Sequence, residues 1–356
     1  MNIKVHNFSA GPSILPDKVF EQASSAIKDF NNSGLSILEI SHRSKDFIEV
    51  LEEARFTALD IAELNKDEYT CLYLQGGASL QFLMTAYNFL NNNAAYINTG
   101  SWSTKAIKEA KMFGDVTEIA SSADKNFNYI PKDLSLNESY DYLHLTSNNT
   151  IFGTQFHSFP DVNYPLFADM SSDIFSRKIN FSKFDLIYAG AQKNLGPAGV
   201  TMVLIRKSLL KNISRQVPSM LSYKIHADKD SSFNTPPVFP IYCVLLNLRM
   251  IKNDGLDNIA SNNDIKSKLI YEEIDNNKCF SGFSHVDDRS QMNATFNLND
   301  GFNGELFNEI CKENNISGIN GHRSVGGYRA SIYNALPIDS VKLLIKCMKE
   351  FESNYN

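Results

Sequence analysis

Residues 69–90 read YTCLYLQGGASLQFLMTAYNFL. The first six form a short apolar run of strand length, and two glycines then turn the chain into an apolar helical stretch. A glycine turn that opens a helix leaves backbone N–H groups unpaired at the positive end of the helix dipole. The residues that mark a strand–helix unit are therefore also a cradle for an anion. Ala78 and Ser79 fall in the first turn, and Ser79 adds a hydroxyl. No GK[ST] follows and the spacing is not GxGxxG, so this is neither a P-loop nor a dinucleotide fingerprint. Taken alone, a plain strand-to-helix turn explains it equally well.

The same alternation extends outward from this unit. AAYINTG (94–100) reads as a strand and SWSTKAIKEAKMF (101–113) as a polar helix; DVTEIAS (115–121), YDYLHLTS (140–147), YPLFADMSS (164–172), FDLIYAG (184–190) and GVTMVLIRK (199–207) read as further strands. Strands alternating with helices require crossover connections, hence a mostly parallel sheet. Upstream, helices are expected over about 16–30 and 44–64. Downstream, one is expected from about 236 to 250, continuing past Gly255. The last hundred residues change texture. QMNATFNL (291–298) and YRASIYNAL (328–336) read as strands, GELFNEICKENN (304–315) and SVKLLIKCMKEFES (340–353) as helices. The expected fold is α/β. A large domain, 16–258, holds a mostly parallel seven-stranded sheet flanked by helices; residues 1–15 and 259–356 form a smaller α+β domain.

With 356 residues, 43% hydrophobic and 21% charged, the chain has the composition of a soluble globular protein large enough for two cores. A formal net charge of -6 offers nucleic acid no general attraction. No apolar run is long enough to span a bilayer, and the N-terminal stretch lacks a signal-peptide core. The five cysteines (71, 243, 279, 311 and 347) are scattered without a CxxC, and no HExxH occurs. That pattern suits a reducing cytoplasm and argues against a structural metal site.

Three further residues carry possible chemistry. Asp169 ends an apolar strand, where a carboxylate usually has a cationic or N–H partner, although a helix-cap aspartate would look the same. Lys193, in YAGAQKNLGPAGV (188–200), lies among small residues between two strands. A partly dry lysine has a lowered pKa and a nucleophilic neutral amine, whereas a lysine that snorkels would be inert. Trp102, the one tryptophan, follows a strand and could stack on a ring or simply pack. Their order supplies what singly they lack. A phosphate cradle, an indole, a carboxylate at a strand end and a lysine two dozen residues later are the parts that hold pyridoxal 5'-phosphate.

The chain resembles the phosphoserine aminotransferase family, of the class V group within the fold-type I pyridoxal-phosphate enzymes. The matching segments run end to end: NFSAGPSILP (7–16), EISHRSKDF (39–47), LQGGASLQF (74–82), NTGSWS (98–103), SNNTIFGTQ (147–155), ADMSSDIFSR (168–177), YAGAQKNLGPAG (188–199), NTPPVFPIY (234–242) and GHRSVGGYRASIYNA (321–335). The resemblance implies that Lys193 bonds covalently to the cofactor, Asp169 pairs with its ring nitrogen, Trp102 stacks on the ring and Thr150 bonds its phenolic oxygen. It implies that Ala78, Ser79 and Gln192 hold the cofactor phosphate. Asn234 and Thr235 would reach that phosphate from a second subunit, making a homodimer with shared sites. Arg43 would take a substrate carboxylate; His322, Arg323 and Arg329 would take the substrate phosphate, with His42 nearby. The implied reaction is transamination between glutamate and 3-phosphohydroxypyruvate in serine biosynthesis. The related four-carbon keto acid of pyridoxine synthesis is also permitted. Some members carry an arginine where this chain has Ser79, which shifts weight onto backbone N–H groups.

The residues lend the substrate independent support. Arginine is scarce, nine residues against 25 lysines, yet two fall within HRSVGGYR (322–329). Arginine's planar fork suits phosphate and carboxylate oxygens, and Arg43 could take a second anionic end. A solvated turn with a salt bridge is the plain alternative, as is an orienting role for His42. Two rivals share the fold. An alanine–glyoxylate type aminotransferase needs no second anion site. A cysteine desulfurase needs a reactive loop cysteine, for which Cys279, in the loop-like NNKCFSG (276–282), is the one candidate.

Overall fold

A computed structural model describes residues 5–135, 139–323 and 325–355. The seven apolar runs form one sheet, in the order Tyr69–Leu74, Thr201–Arg206, Leu186–Gly190, Leu166–Asp169, Leu143–Thr146, Asn93–Asn98, Asp115–Ser121. Thr201–Arg206 runs antiparallel to both its neighbours, and the other pairings are parallel. Side chains alternate across a strand, so each strand feeds two cores. Leu72, Leu74, Tyr96, Phe167 and Val203 pack with the helices Gly77–Phe89 and Ser101–Ala110. Tyr73, Ile97, Ala168, Ile187 and Met202 pack on the other face with Asp17–Lys28, Lys45–Ile61 and Val238–Asp254. At ~1.5–3 kcal/mol for each large apolar side chain removed from water, these two layers dominate the stability of the sheet.

The helix Lys45–Ile61 begins where Ser44 accepts a hydrogen bond from the backbone of Phe47, an N-cap within the expected 44–64 span. The helix expected to run past Gly255 ends at Asp254 instead. Gly255 adopts φ 74°, ψ 146°, and a second helix, Leu256–Asn276, starts after it. Only glycine takes that backbone conformation cheaply, so what read as a tolerated helical glycine is a corner.

A third core joins Ile270, Phe280, Phe296, Phe307, Tyr328, Leu344 and Phe351 around the three-stranded sheet Phe280–Gly282, Asn293–Leu298, Tyr328–Ser331. Phe8 is buried in it, and His6–Asn7 pairs in parallel with Ile316–Ser317. The N-terminal segment thus packs on the C-terminal unit; residues 1–4 lie outside the described residues. No helix is long and apolar enough to cross a membrane among those described.

Candidate active site

Five sheet strands run parallel to one another and end on the same side, and each hands its chain to a residue singled out above. Tyr69–Leu74 leads to Gly76–Ser79, Asn93–Asn98 to Trp102, Leu143–Thr146 to Thr150, Leu166–Asp169 to Asp169 itself, and Leu186–Gly190 to Lys193. Ligands of open α/β sheets bind beyond the carboxyl ends of the strands for this reason.

Lys193 Nζ donates to Thr150 Oγ1 at 2.7 Å and lies 5.4 Å from the centre of the Trp102 ring. Burial pushes its amine down to about 8; Asp169 opposes that, and Arg329 reinforces it. Asp169 is buried, and burial raises its carboxyl, offset by the Lys193 charge and by Ser171. Its Oδ1 accepts from the Ser171 backbone N at 2.9 Å and from Ser171 Oγ at 2.6 Å. Among the described residues no hydrogen bond reaches Oδ2, which leaves one acceptor for a protonated ring nitrogen.

Gly76 caps the helix Gly77–Phe89 in the left-handed region, φ 91°, with no side-chain cap bond. Its first-turn amides, including those of Ala78 and Ser79, are thereby offered to an anion. Gln192 lies beside Gly190 and Gly11, adjacent to Lys193, and its carbonyl accepts from Ser13 N at 3.0 Å. Arg329 reaches from the small-domain strand toward Thr150, with Nη1 3.5 Å from the Thr150 carbonyl. His322 and Arg323 are exposed in the turn before that strand; burial, with the positive charges of Arg329, Lys105 and Arg323, lowers the His322 imidazole. Ser324, inside the same motif, lies outside the described residues.

Two groups are not gathered into this cluster. His42 and Arg43 sit on the loop before Lys45–Ile61, and no contact joins them to Lys193, Asp169 or Arg329 among the described residues. Asn234 Nδ2 donates to Gln75 Oε1 at 2.8 Å, and Thr235 is exposed. Cys279 is fully buried at the start of Phe280–Gly282, and burial raises its thiol, so it is no reactive loop cysteine. Tyr328 packs on Phe296 and donates to the Gly304 carbonyl, a core role.

The residues present fit pyridoxal phosphate. Trp102 Nε1 and Arg329 Nε are buried without a partner among the described residues, on side chains near a desolvated amine, and the Asp169 carboxylate beside that amine is bonded at one oxygen. Sequence reasoning missed Ser171 and Ser13. Ser171 closes an Asx turn on Asp169, and its Oγ also accepts from Gly190 N at 3.0 Å. Ser13 Oγ donates to the Lys193 carbonyl, pinning the loop that carries the amine. The signal for the first was an Asp-x-Ser at a strand end. For the second there was none, because the contact spans 180 residues.

A seven-stranded sheet with a lysine after one strand and a carboxylate closing its neighbour defines a fold-type I pyridoxal-phosphate enzyme. A family model described as aminotransferase class-V matches residues 5–344, and the chain belongs to that family, among its phosphoserine aminotransferases. It is 56% identical to the phosphoserine aminotransferase of Flavobacterium psychrophilum over 99% of both chains. It superposes on the phosphoserine aminotransferase of Bacillus circulans subsp. alkalophilus with TM-score 0.95 at 43% identity, covering 99% of each. The pyridoxal-phosphate-bound enzyme of Trichomonas vaginalis gives TM-score 0.92 at 35% identity, over 97% of this chain and 100% of that one.

Proposed function

We propose that the chain binds pyridoxal 5'-phosphate and carries nitrogen from glutamate to 3-phosphohydroxypyruvate, yielding O-phosphoserine and 2-oxoglutarate. The observation that carries this reading is the convergence of Lys193, Thr150, Trp102 and Arg329 beyond one sheet edge. There an amine of pKa about 8 faces an arginine from the other core.

When bound, the cofactor supplies a carbonyl carbon that takes amino groups in turn and a ring that withdraws electrons from the substrate α-carbon. The Gly77–Ser79 amides, with Gln192 alongside, hold its phosphate at the positive helix end. Trp102 covers one face of the ring and excludes water. Asp169 Oδ2 holds a proton on the ring nitrogen, and Ser171 fixes Oδ1 so that this oxygen keeps its aim. Lys193 Nζ would hold the cofactor and, as a free amine, would serve as the base for the substrate α-proton, oriented by its bond to Thr150 Oγ1. Arg329, half-buried and lowered by desolvation, anchors one anionic end of the substrate; His322 and Arg323 add to it at the mouth.

The same reading makes the protein a cytoplasmic homodimer. Five free buried cysteines agree with a reducing compartment. Phe20, Leu35, Leu38, Ile48 and Phe56 are exposed on the Asp17–Lys28 and Lys45–Ile61 helices and the loop between them, an apolar surface of the kind that oligomers bury. His42 and Arg43 lie within this stretch and touch nothing in their own site, which suits residues delivered to a neighbour's. Asn234 and Thr235 are placed by this reading on the cofactor phosphate of the second copy. We take 16–258 as the cofactor-binding domain and 1–15 with 259–356 as the small domain, the helix Leu256–Asn276 crossing the border with Ile259 in the large core and Ile270 in the small one.

The test is a coupled assay with glutamate and 3-phosphohydroxypyruvate, run on the wild type and on Lys193→Ala and Arg329→Leu. Lys193→Ala is expected to lose turnover and the borohydride-reducible adduct at position 193. Arg329→Leu is expected to hurt phosphorylated substrates far more than unphosphorylated keto acids. Retained turnover in the first variant, or equal losses in the second, contradicts the assignment.

A further inference from the structure

The turn that follows Asp169 contains a buried aromatic in the left-handed region, Phe175 at φ 54°. A bulky side chain adopts that conformation only where its surroundings hold it. Here three successive carbonyls of the turn each accept from a different asparagine amide. Asn194 Nδ2 donates to Ile174 O at 2.7 Å, Asn334 Nδ2 to Phe175 O at 2.9 Å, and Asn263 Nδ2 to Ser176 O at 3.0 Å.

The three amides are themselves joined. The Asn334 backbone N donates to Asn194 Oδ1 at 3.0 Å, and Asn263 Nδ2 also donates to Asn334 Oδ1 at 2.8 Å. Asn247 closes the set from the helix Val238–Asp254, its Nδ2 donating to the Leu195 carbonyl at 2.7 Å. Asn194 and Asn263 are buried.

The positions of these residues give the arrangement its meaning. Asn194 directly follows Lys193. Residues 174–176 follow Asp169 by less than two turns of chain. Asn334 lies five residues beyond Arg329, past the end of its strand, and Asn263 is on the helix that links the two cores. One hydrogen-bonded unit thus touches the amine loop, the carboxylate loop and the substrate-anchoring strand. Core packing alone would use apolar side chains here, since a buried amide costs stability unless it is paired; all three Nδ2 groups are paired, and of the three oxygens Asn263 Oδ1 lacks a partner among the described residues.

We infer that Asn194 and Asn334 are positioning residues that hold the Lys193 loop at a fixed distance from the strand of Arg329, so that the domain anchoring the substrate's anionic end also aims the amine. The inference rests on the reading of Lys193 as the reacting amine. A loop so held keeps the amine desolvated between Asp169 and Arg329, with Asp173 the other charge acting on it. A loosened loop lets water reach Nζ, and the amine returns toward the ordinary lysine value.

The experiment follows the pH midpoint of Lys193 acetylation by acetic anhydride, using the full-length chain freed of cofactor and peptide mass mapping. Asn194→Ala and Asn334→Ala are compared with the wild type and with Leu344→Ala, which opens a cavity in the small core away from the relay. The relay predicts a midpoint about one pH unit higher in both asparagine variants, hence ~fivefold less reactive amine near pH 8. Leu344→Ala should lower the melting temperature and leave the midpoint in place. Midpoints at the wild-type value in the asparagine variants, or an equal shift in Leu344→Ala, overturn the inference. If Asn194→Ala does not fold, Asn334→Ala carries the same measurement. Borohydride reduction of the wild-type holoenzyme runs in parallel. Absence of the cofactor adduct at Lys193 there defeats the functional reading, whatever the midpoints show.

Discussion

Lys193 is a lysine with an amine's reactivity because its neighbours remove water without neutralising it. Burial pushes it down to about 8, and the Asp169 carboxylate pulls it part of the way back. The rate at which the cofactor-free chain captures pyridoxal phosphate should therefore climb with pH and level off above about 8. A free alkylamine would keep gaining to ~10.4. Asp169→Asn removes the charge that favours the ammonium, so the plateau should begin at lower pH; stopped-flow absorbance across pH reads both. Ser171→Ala probes the other side of the pair. It deletes the 2.6 Å bond to Asp169 Oδ1 and the acceptor for Gly190 N, so the carboxyl should rise further and cofactor affinity fall ~tenfold, about 1.4 kcal/mol. An unchanged dissociation constant in a fluorescence titration would show that the Ser171 hydroxyl does not matter to binding. The sequence was most legible at this scale, because imine chemistry restricts the residue types: an amine, a carboxylate and an indole in that setting have few other uses. Ser171 and Ser13 stayed hidden because serine serves any turn, and because the Ser13 bond joins segments that meet only in the fold.

Elements place these groups through their ends. Gly76, at φ 91°, turns the Tyr69–Leu74 strand into the cradle helix, and a Cβ there would lie 2.5 Å from Leu80 Cδ2. Gly76→Ala must strain the turn or displace Leu80, at ~1–3 kcal/mol. Cofactor affinity should fall together with the melting temperature; a loss of stability alone would separate the turn from phosphate binding. On the opposite flank, Lys266 of the helix Leu256–Asn276 is buried with its Nζ donating to the carbonyls of Ile332, Tyr333 and Leu336 at 3.0, 2.7 and 3.2 Å. It ties that helix to the segment that leaves the strand of Arg329. Lys266→Met would remove a donor from three carbonyls, of which Tyr333 O keeps its bond from Leu336 N, while sparing the burial of a charge, for a net loss of ~2 kcal/mol in urea unfolding. A variant as stable as the wild type would mean that the two effects cancel. Strand runs and turn glycines were legible here because alternation and glycine clusters are local signals. Gly255 was misread because a glycine in a helix and a glycine at a corner look alike until its backbone angles are known. Lys266 passed unnoticed among 25 lysines because only burial sets it apart.

At the scale of the whole molecule, one chain gathers some of the residues assigned to the proposed reaction and leaves others apart. The amine, the carboxylate and Arg329 meet within the protomer, whereas Arg43, Asn234 and Thr235 do not approach Lys193. Spacing and periodicity alone carry no sign of such a division, since residues from either copy look the same along the chain; only the family resemblance of NTPPVFPIY (234–242) suggests it. If the site is shared, each copy uses its own Lys193 with Asn234 and Thr235 of the other, and the two kinds of defect become complementary. Lys193→Ala leaves both sites of its homodimer dead, and Asn234→Ala combined with Thr235→Ala weakens both sites of its own. Unfolding an equal mixture and refolding it forms mixed dimers in half of the population by random pairing. Each mixed dimer has one site with an intact lysine facing an intact Asn234 and Thr235, and one site defective in both. Activity should then recover to about a quarter of the wild-type level from two preparations that have little alone. A monomeric enzyme, or a dimer with self-contained sites, would give only the mean of the two parents. The result therefore depends on which copy delivers the phosphate ligands and not on how much either substitution disturbs the fold.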